Sequence, residues 1–416
     1  MSPTRRAATA LAVLAVAALV VPVPWVLLGV LGLATATVAD ARAVRHPPRV
    51  SRSVPGTLAR AVPVGLQIDV EVPPAAAGVQ VRQPTPPDVS VEPFAGGAPL
   101  TGQLVARRRG RHRLPPVVVR LTGPLGLGRW DHQGAGETEV RVYPDVPAAR
   151  RLALAVRRGL LQGASRRTRG PLGLGTEFES IREYSPDDDV RQVNWAATQR
   201  FERPMSNQYR VDQDRDVVCV VDTGRLMTAP VGDRTRLDAA LDAVVAVALT
   251  ADVVGDRCGA VAFDQEVHRQ IAPRRANGEA VVRGVFDLEP HPVDSDYELA
   301  FHVAGRAKRS LVLVFTDLLD ESAARSLVEA VPVLARRHAV VVAGVTDPDI
   351  EAFVRTPPST PADVYRAAVA IDVLAARAGV AASLVRAGAE VVEAPPAELA
   401  AVCVDVYMRL KSRVRV

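Results

Sequence analysis

The sequence predicts a mixed α/β chain. Its C-terminal part, residues 216–416, reads as a parallel-dominated sheet covered by helices on both faces. A small antiparallel β sandwich over residues 47–147 and an apolar hairpin over residues 1–46 precede it, and residues 148–215 form a basic connector. Three observations carry this reading. No charged side chain occurs from Ala7 to Ala39. Residues 47–147 are rich in Pro and Val and break into short alternating runs. From Asp216 onward, near-continuous apolar runs alternate with helical stretches, the pattern of strands buried on both faces.

Bulk composition narrows the function classes. The chain has 416 residues, enough for two or three domains with cores of their own. Apolar content of 48% excludes a disordered chain, although aromatics are only 4%. The net charge of +5 is modest for this length. Basic clusters at 107–113, 150–158 and 166–169 have no interleaved aromatics, so they suit solvated faces or anionic lipid headgroups better than a nucleic-acid groove. Cys219, Cys258 and Cys403 lie far apart in the chain. Their spacing suggests neither a metal site nor a disulfide framework, and Cys219 and Cys258 read as small buried hydrophobes.

As one helix, the uncharged N-terminal stretch would be about 50 Å long, against a hydrocarbon core of roughly 30 Å. Pro22 and Pro24, with Trp25 beside them, favour a break in its middle. Arg5 and Arg6 precede it, and Arg42, Arg45 and Arg49 follow it. Positive charge on both flanks fits a hairpin that keeps both ends cytoplasmic, with limbs of about 15 residues that are short for a full span. The length speaks against a cleaved leader ending at Ala34-Thr35-Ala36, and a single tilted span is the remaining rival.

In the central region the runs LQIDVEV (66–72), VSVEPF (89–94), PLTGQLVA, PPVVVRLTG and TEVRVYP (138–144) are separated by Pro and Gly, as in a β sandwich. The hexapeptide GPLGLG occurs at 123–128 and again at 170–175 with unrelated flanks, which marks a repeated turn and not a repeated domain. A helix is expected over 148–162. In the last part, strands are expected at 216–222, 258–264, 267–273, 310–317 and 339–347. Helices are expected at 235–254, 278–287, 297–306, 321–337 and 361–378. The strands ASLVR and AEVVEA and a terminal helix through VYMRLKSR complete the list.

The richest window is GTEFESIREYSPDDDVRQVNWAATQR (175–200), which reads as largely loop-like. So many mixed charges beside a Trp and a Tyr suit a hydrogen-bonded surface. This pattern resembles the signature of domain of unknown function 58 (DUF58), a bacterial family built on a von Willebrand factor type A-like (Rossmann-like) domain. The segment at 123–127 and the V-Y-P strand at 142–144 fit the same resemblance. It departs at Asp187, where the family usually has Gly, and at Gln199, where Ala or Ser is usual. The resemblance implies a MoxR-type AAA+ ATPase as partner. The contact residues expected from the window are Glu177, Arg182, Tyr184, Asp189, Arg191, Trp195 and Arg200. The bland alternative is that Arg182, Arg191 and Arg200 pair with Glu177, Glu183 and 187–189 to hold a connector against the sheet.

Open α/β sheets bind ligands beyond the carboxyl ends of their strands. Asp222 and Asp317 end two strands there, with Asp294 and Asp296 on a nearby loop. Such an all-oxygen set would suit a hard divalent cation such as Mg²⁺. Type A domains hold a metal at this place through a D-x-S-x-S motif, a Thr and an Asp. This chain reads Asp222-Thr223-Gly224-Arg225-Leu226, so both metal-facing hydroxyls of the motif are replaced. The resemblance implies a degenerate ion site of Asp222, Thr223, Asp296 and Asp317. Two other readings compete with it. Asp222 and Asp317 can accept hydrogen bonds from neighbouring backbone amides and helix starts, or Arg225 can pair with one of them in place of a cation.

No P-loop, H-E-x-x-H or G-x-S-x-G motif occurs, and the seven histidines show no ligand pairing in sequence. The function expected is therefore a non-enzymatic, membrane-anchored adaptor on the cytoplasmic face, acting in assembly or remodelling of protein complexes. The alternatives are a metal-dependent hydrolase at the Asp222/Asp317 edge and an extracytoplasmic adhesion module.

Overall fold

The computed structural model describes residues 1–159, 172–173, 177–185, 190, 193–210, 216–306, 309–318 and 321–413. They form two units, Met1–Tyr143 and Pro144–Val416.

The N-terminal unit begins with helices Arg5–Ala17 and Val23–Ala43, and the break falls where the prolines predict it. The limbs are unequal, however, at 13 and 21 residues. Pro22 and Pro24 lie at the start of the second helix, where a missing N–H costs nothing, so that helix runs on unbroken. At 1.5 Å per residue only the second limb approaches a bilayer core of roughly 30 Å. Val23–Ala43 and Pro361–Arg386 are the two described helices long and apolar enough to cross a membrane.

The rest of this unit is three sheets around one core. One is built on Val117–Thr122 between Gly128–Gly134 and Gly78–Arg82, and a second on Val64–Val70 and Leu100–Ala106. The third places Thr138–Tyr143 between Thr57–Ala59 and Gly110–Leu114. Period-2 alternation sends Val117, Val119 and Leu121 inward, where they meet Ile68, Val81, Leu104 and Val140 from the other strands.

Asp40, at the end of the second helix, ties that helix to the sheets. Its buried carboxylate accepts hydrogen bonds from the backbone N–H groups of Leu125 (2.7 Å), Leu127 (2.8 Å) and Gly128 (2.8 Å). The first GPLGLG turn is thus a cradle for one carboxylate. A Cβ at Gly123 would lie 2.3 Å from the Asp40 carbonyl oxygen, and one at Gly128 would lie 2.4 Å from that of Thr37.

In the C-terminal unit a six-stranded sheet runs in the order Val267–Arg274, Arg257–Phe263, Asp216–Asp222, Ser310–Phe315, Ala339–Val345, Glu390–Ala394. All neighbours are parallel except the first pair, which is an antiparallel hairpin. Among the described residues the sheets are mostly antiparallel, so parallel dominance holds for this sheet and not for the set. Helix Arg236–Val254 starts with a capping box of Thr235 and Asp238 and ends at Gly255, whose φ of +83° favours glycine. It is apolar around most of its girth, because it packs between the sheet and helices Val146–Arg157 and Leu399–Arg413.

Two local expectations need correction. ASLVR is not a strand: the helix Pro361–Arg386 continues through it, since a single Gly379 in open space does not stop a helix already capped at Thr360. The 175–200 window is not largely loop. Strand Glu177–Glu183 pairs antiparallel with Met205–Arg210, and a short helix, Trp195–Phe201, capped by Asn194, lies between them.

Replacing Asp40 by Ala strands three amide donors that the cradle aims at it. We expect a loss of about 2–4 kcal/mol, at 1–3 kcal/mol per unsatisfied buried group with partial rescue by water. The full chain in detergent should show it as a lower denaturant midpoint, and Asp40→Asn should recover part of the difference.

Candidate functional site

The strand order places Asp216–Asp222 next to Arg257–Phe263 on one side and Ser310–Phe315 on the other. The chain therefore reverses its direction of travel across the sheet at this strand, and such switch points open a crevice beyond the strand ends. A cavity of about 250 Å³ lies there, lined by Asp222, Arg225, Leu226, Asp294, Ser295 and Tyr297 among others.

Asp222 is 1% exposed and all its acceptor sites face protein donors. Oδ1 accepts from the Gly224 N–H (2.7 Å) and the Ser295 hydroxyl (2.5 Å). Oδ2 accepts from the Tyr297 hydroxyl (2.8 Å) and the Thr316 hydroxyl (2.6 Å). Burial, together with Asp222 beside it, pushes the Tyr297 phenol well above its ordinary pKa, so it remains a donor. Gly224 is required by close approach, since a Cβ there would lie 2.1 Å from the Ser295 hydroxyl oxygen. Ser295 was not among the expected residues, although it sits between Asp294 and Asp296, which were.

Asp317 has different company. Its Oδ1 lies 2.7 Å from Arg236 Nη1 and 3.2 Å from Arg377 Nη1, and both arginines also donate to the Val345 carbonyl. Arg377 Nη2 reaches on to Glu393 at 2.8 Å. Burial raises the Asp317 pKa above the usual carboxylate range, against the pull of Arg236 and Arg377. Burial likewise lowers that of Arg236, opposed by Asp317. Arg225 does not join either carboxylate. Its Nε pairs with Asp294 at the exposed rim, and the cation's place beside Asp317 is taken by Arg236 and Arg377.

The expected Mg²⁺ set does not fit this geometry. The Thr223 hydroxyl donates to the Phe263 carbonyl (2.9 Å), and Asp296 caps helix Tyr297–Ala304 by accepting from the Leu299 N–H (3.0 Å). Both oxygens of Asp222 are taken by neutral donors, and Asp317 Oδ1 is held by Arg236, Arg377 and the Leu318 N–H. The reading in which Asp222 and Asp317 accept from neighbouring backbone amides holds for one bond each, from the Gly224 N–H (2.7 Å) and the Leu318 N–H (3.0 Å), and side chains supply the rest. A hydrolase at this edge would need the same carboxylates free.

A second polar centre, absent from the sequence reading, lies one strand over. Asp264 follows strand Arg257–Phe263, and its Oδ2 is 2.6 Å from His268 Nε2 and 2.7 Å from His291 Nδ1. Burial opposes ionisation of Asp264, but the hydrogen bonds from His268, the Glu266 N–H and His291 outweigh it and hold its pKa below the usual range. The histidines are thus not all unpaired, because a hairpin and a loop bring two of them together.

The window residues are placed as follows. Glu177 and Arg182 lie in strand Glu177–Glu183, and Tyr184 just after it donates its N–H to the Pro204 carbonyl. Trp195 opens the short helix and is 73% exposed, and Arg200 in the same helix is exposed too. Ile181, Val190 and Phe201 are further exposed apolar side chains of this segment. Asp189 and Arg191 lie outside the described residues. Glu183 pairs with Arg203, at 3.5 Å on the surface.

Residues 180–355 match the model of a family described as protein of unknown function DUF58. The matched span takes in Asp222, Asp264 and Asp317 and stops short of Arg377 and Glu393. The uncharacterized protein Rv1480 of Mycobacterium tuberculosis is 27% identical over 186 residues, 43% of this chain and 58% of that protein. The uncharacterized protein Mb1516 of Mycobacterium bovis matches with the same identity and coverage. The chain thus spans 58% of the length of the curated relatives it matches.

Substituting Arg236 by Met leaves the buried Asp317 with one of its two cations. We expect a destabilisation of about 3–5 kcal/mol at neutral pH. Without Arg236, burial raises the Asp317 pKa further, so the folded state takes up a proton more readily than the unfolded one. The deficit should therefore shrink as pH falls through the range between the unfolded and the raised folded pKa, and stay full above it. Urea melts of both proteins from neutral pH down to about pH 5 would check it.

Proposed function

We propose that this chain is a membrane-tethered, non-enzymatic docking protein, with a von Willebrand factor type A-like domain as its C-terminal unit. The order of the six strands, with an antiparallel edge hairpin, supports that domain type. One observation carries the docking role: the sheet edge spends its carboxylates internally, while Trp195, Phe201, Val190 and Ile181 are left in solvent on the segment just before the sheet. Large aromatics at an exposed position are the residues that anchor protein interfaces. Charged neighbours such as Arg182 and Arg200 supply a polar rim.

The tether is the apolar helix Val23–Ala43 with its shorter companion. Arginines on both flanks favour a cytoplasmic location for the soluble units. The partner we propose is a MoxR-type AAA+ ATPase, which rests on the DUF58 resemblance, and the work of the pair would be assembly or remodelling of protein complexes.

Crosslinking the tagged full chain in its own membrane, followed by pull-down and mass spectrometry, tests this reading. The wild type should capture an AAA+ ATPase. The Trp195→Ala/Phe201→Ala double variant should capture it at least about tenfold less while keeping the same melting profile, as hot-spot losses of 2 kcal/mol or more imply. Equal capture by both would overturn the proposed surface, and capture of no ATPase by either would overturn the partner.

A further inference from the structure

The search outside the Asp222 crevice leads to Asp264, His268 and His291. We propose that these three side chains form a binding site for a first-row divalent transition metal ion such as Zn²⁺. The site lies outside the Asp222/Asp317 edge and does not rest on the docking reading.

The donor atoms, one carboxylate oxygen and two imidazole nitrogens, lie within 4.8 Å of one another. Among the described residues they are the one such group of His, Cys and carboxylate side chains. Two nitrogens and one oxygen suit Zn²⁺, Fe²⁺, Co²⁺ or Ni²⁺ better than Mg²⁺ or Ca²⁺, which prefer oxygen throughout. Bonds of about 2.0–2.2 Å put neighbouring donors of a tetrahedral ion roughly 3.3 Å apart. The two Asp264–His separations of 2.6 and 2.7 Å must therefore open by some tenths of an ångström. The imidazole rings, now 4.8 Å apart between centroids, are tilted at 58° and do not stack face to face.

The surroundings hold the donors in place. Asp264 is anchored within the hairpin turn: its Oδ1 accepts from the Glu266 N–H (3.1 Å) and its own N–H donates to the Glu266 carbonyl (2.9 Å). Its carbonyl in turn accepts from the Asp296 N–H (2.9 Å). Fixing the second carboxylate oxygen in this way is what outer-shell groups do for metal-bound carboxylates. His268 stands at the start of the return strand, and His291 is held through its N–H to the Thr223 carbonyl (2.7 Å). The Asp264 side chain is 4% exposed, against 27% for His268 and 46% for His291. The cluster therefore has a buried floor and an open side. Three protein ligands leave a fourth position for water or an outside donor on that side.

The test uses the full chain in detergent, with any affinity tag removed. Calorimetric titration with Zn²⁺ should give one equivalent bound by the wild type and by His302→Gln, a histidine elsewhere in the unit. Loss of a direct ligand in His291→Gln should weaken binding by about 100-fold or more, beyond the 10–100-fold that outer-shell changes cost. His268→Gln should do the same. Co²⁺ should produce visible d–d bands in the wild type that vanish in both variants. His291 is partly exposed on a loop, so its variant keeps the fold and the comparison stands. Wild-type protein that takes up no Zn²⁺, or binding that survives both substitutions unchanged, overturns the site.

Discussion

A carboxylate at the end of a fully buried strand loses its water and has to recover the same hydrogen bonds from protein, because each unmet polar group there costs kilocalories. Asp222 meets that demand with donors drawn from four places: its own turn through Gly224, the 288–296 loop through Ser295, the first residue of the helix after it through Tyr297, and the neighbouring strand end through Thr316. The loop is pinned to the sheet edge for this reason. Its backbone adds the same message, with the His291 N–H on the Thr223 carbonyl, the Arg225 N–H on the Val293 carbonyl and the Asp296 N–H on the Asp264 carbonyl. The crest of the sheet is thus hydrogen-bonded from within around the crevice that Asp222 lines.

Asp317 solves the same problem by charge. Arg236 begins the central helix and Arg377 lies well inside the long helix, so one ion network holds two covering helices to one strand end. It also explains why Pro361–Arg386, apolar enough to pass for a membrane span, is a covering helix in its second half. Arg377, Val380 and Leu384 are buried there, while Val364, Tyr365 and Val369 in its first half remain exposed.

What the sequence revealed and what it hid divide along contact distance. Apolar runs such as Asp216–Asp222 and Ser310–Phe315 declare themselves locally, and so does the break at Pro22. The switch-point carboxylates were legible as strand ends. Their partners were not: Ser295 is 73 residues from Asp222 in sequence, and Arg236 is 81 from Asp317. No local pattern marks an arginine at a helix start as the counter-ion of a distant strand. Arg225 was the local candidate beside Asp222, and it pairs instead with Asp294, 69 residues on. Of the two histidines, His268 lies only four residues from Asp264 across a hairpin turn, whereas His291, 27 residues on, is brought there by a loop pinned to the sheet edge.

That shared loop has a consequence for how the edge responds to anything bound there. His291 faces Asp264, and four residues on Ser295 faces Asp222, so both centres hold one short segment whose backbone is anchored at either end. A segment so tied cannot move at one point without straining the other, because packed and hydrogen-bonded elements shift between discrete arrangements and do not bend smoothly. Coupling of this kind is reciprocal. Ile181, Trp195 and Phe201 stand outside this web, on the Glu177–Glu183 strand and the short helix capped by Asn194. The protein thus sets a crest whose carboxylates are hydrogen-bonded within the fold beside a segment whose Trp195 and Phe201 stand in solvent.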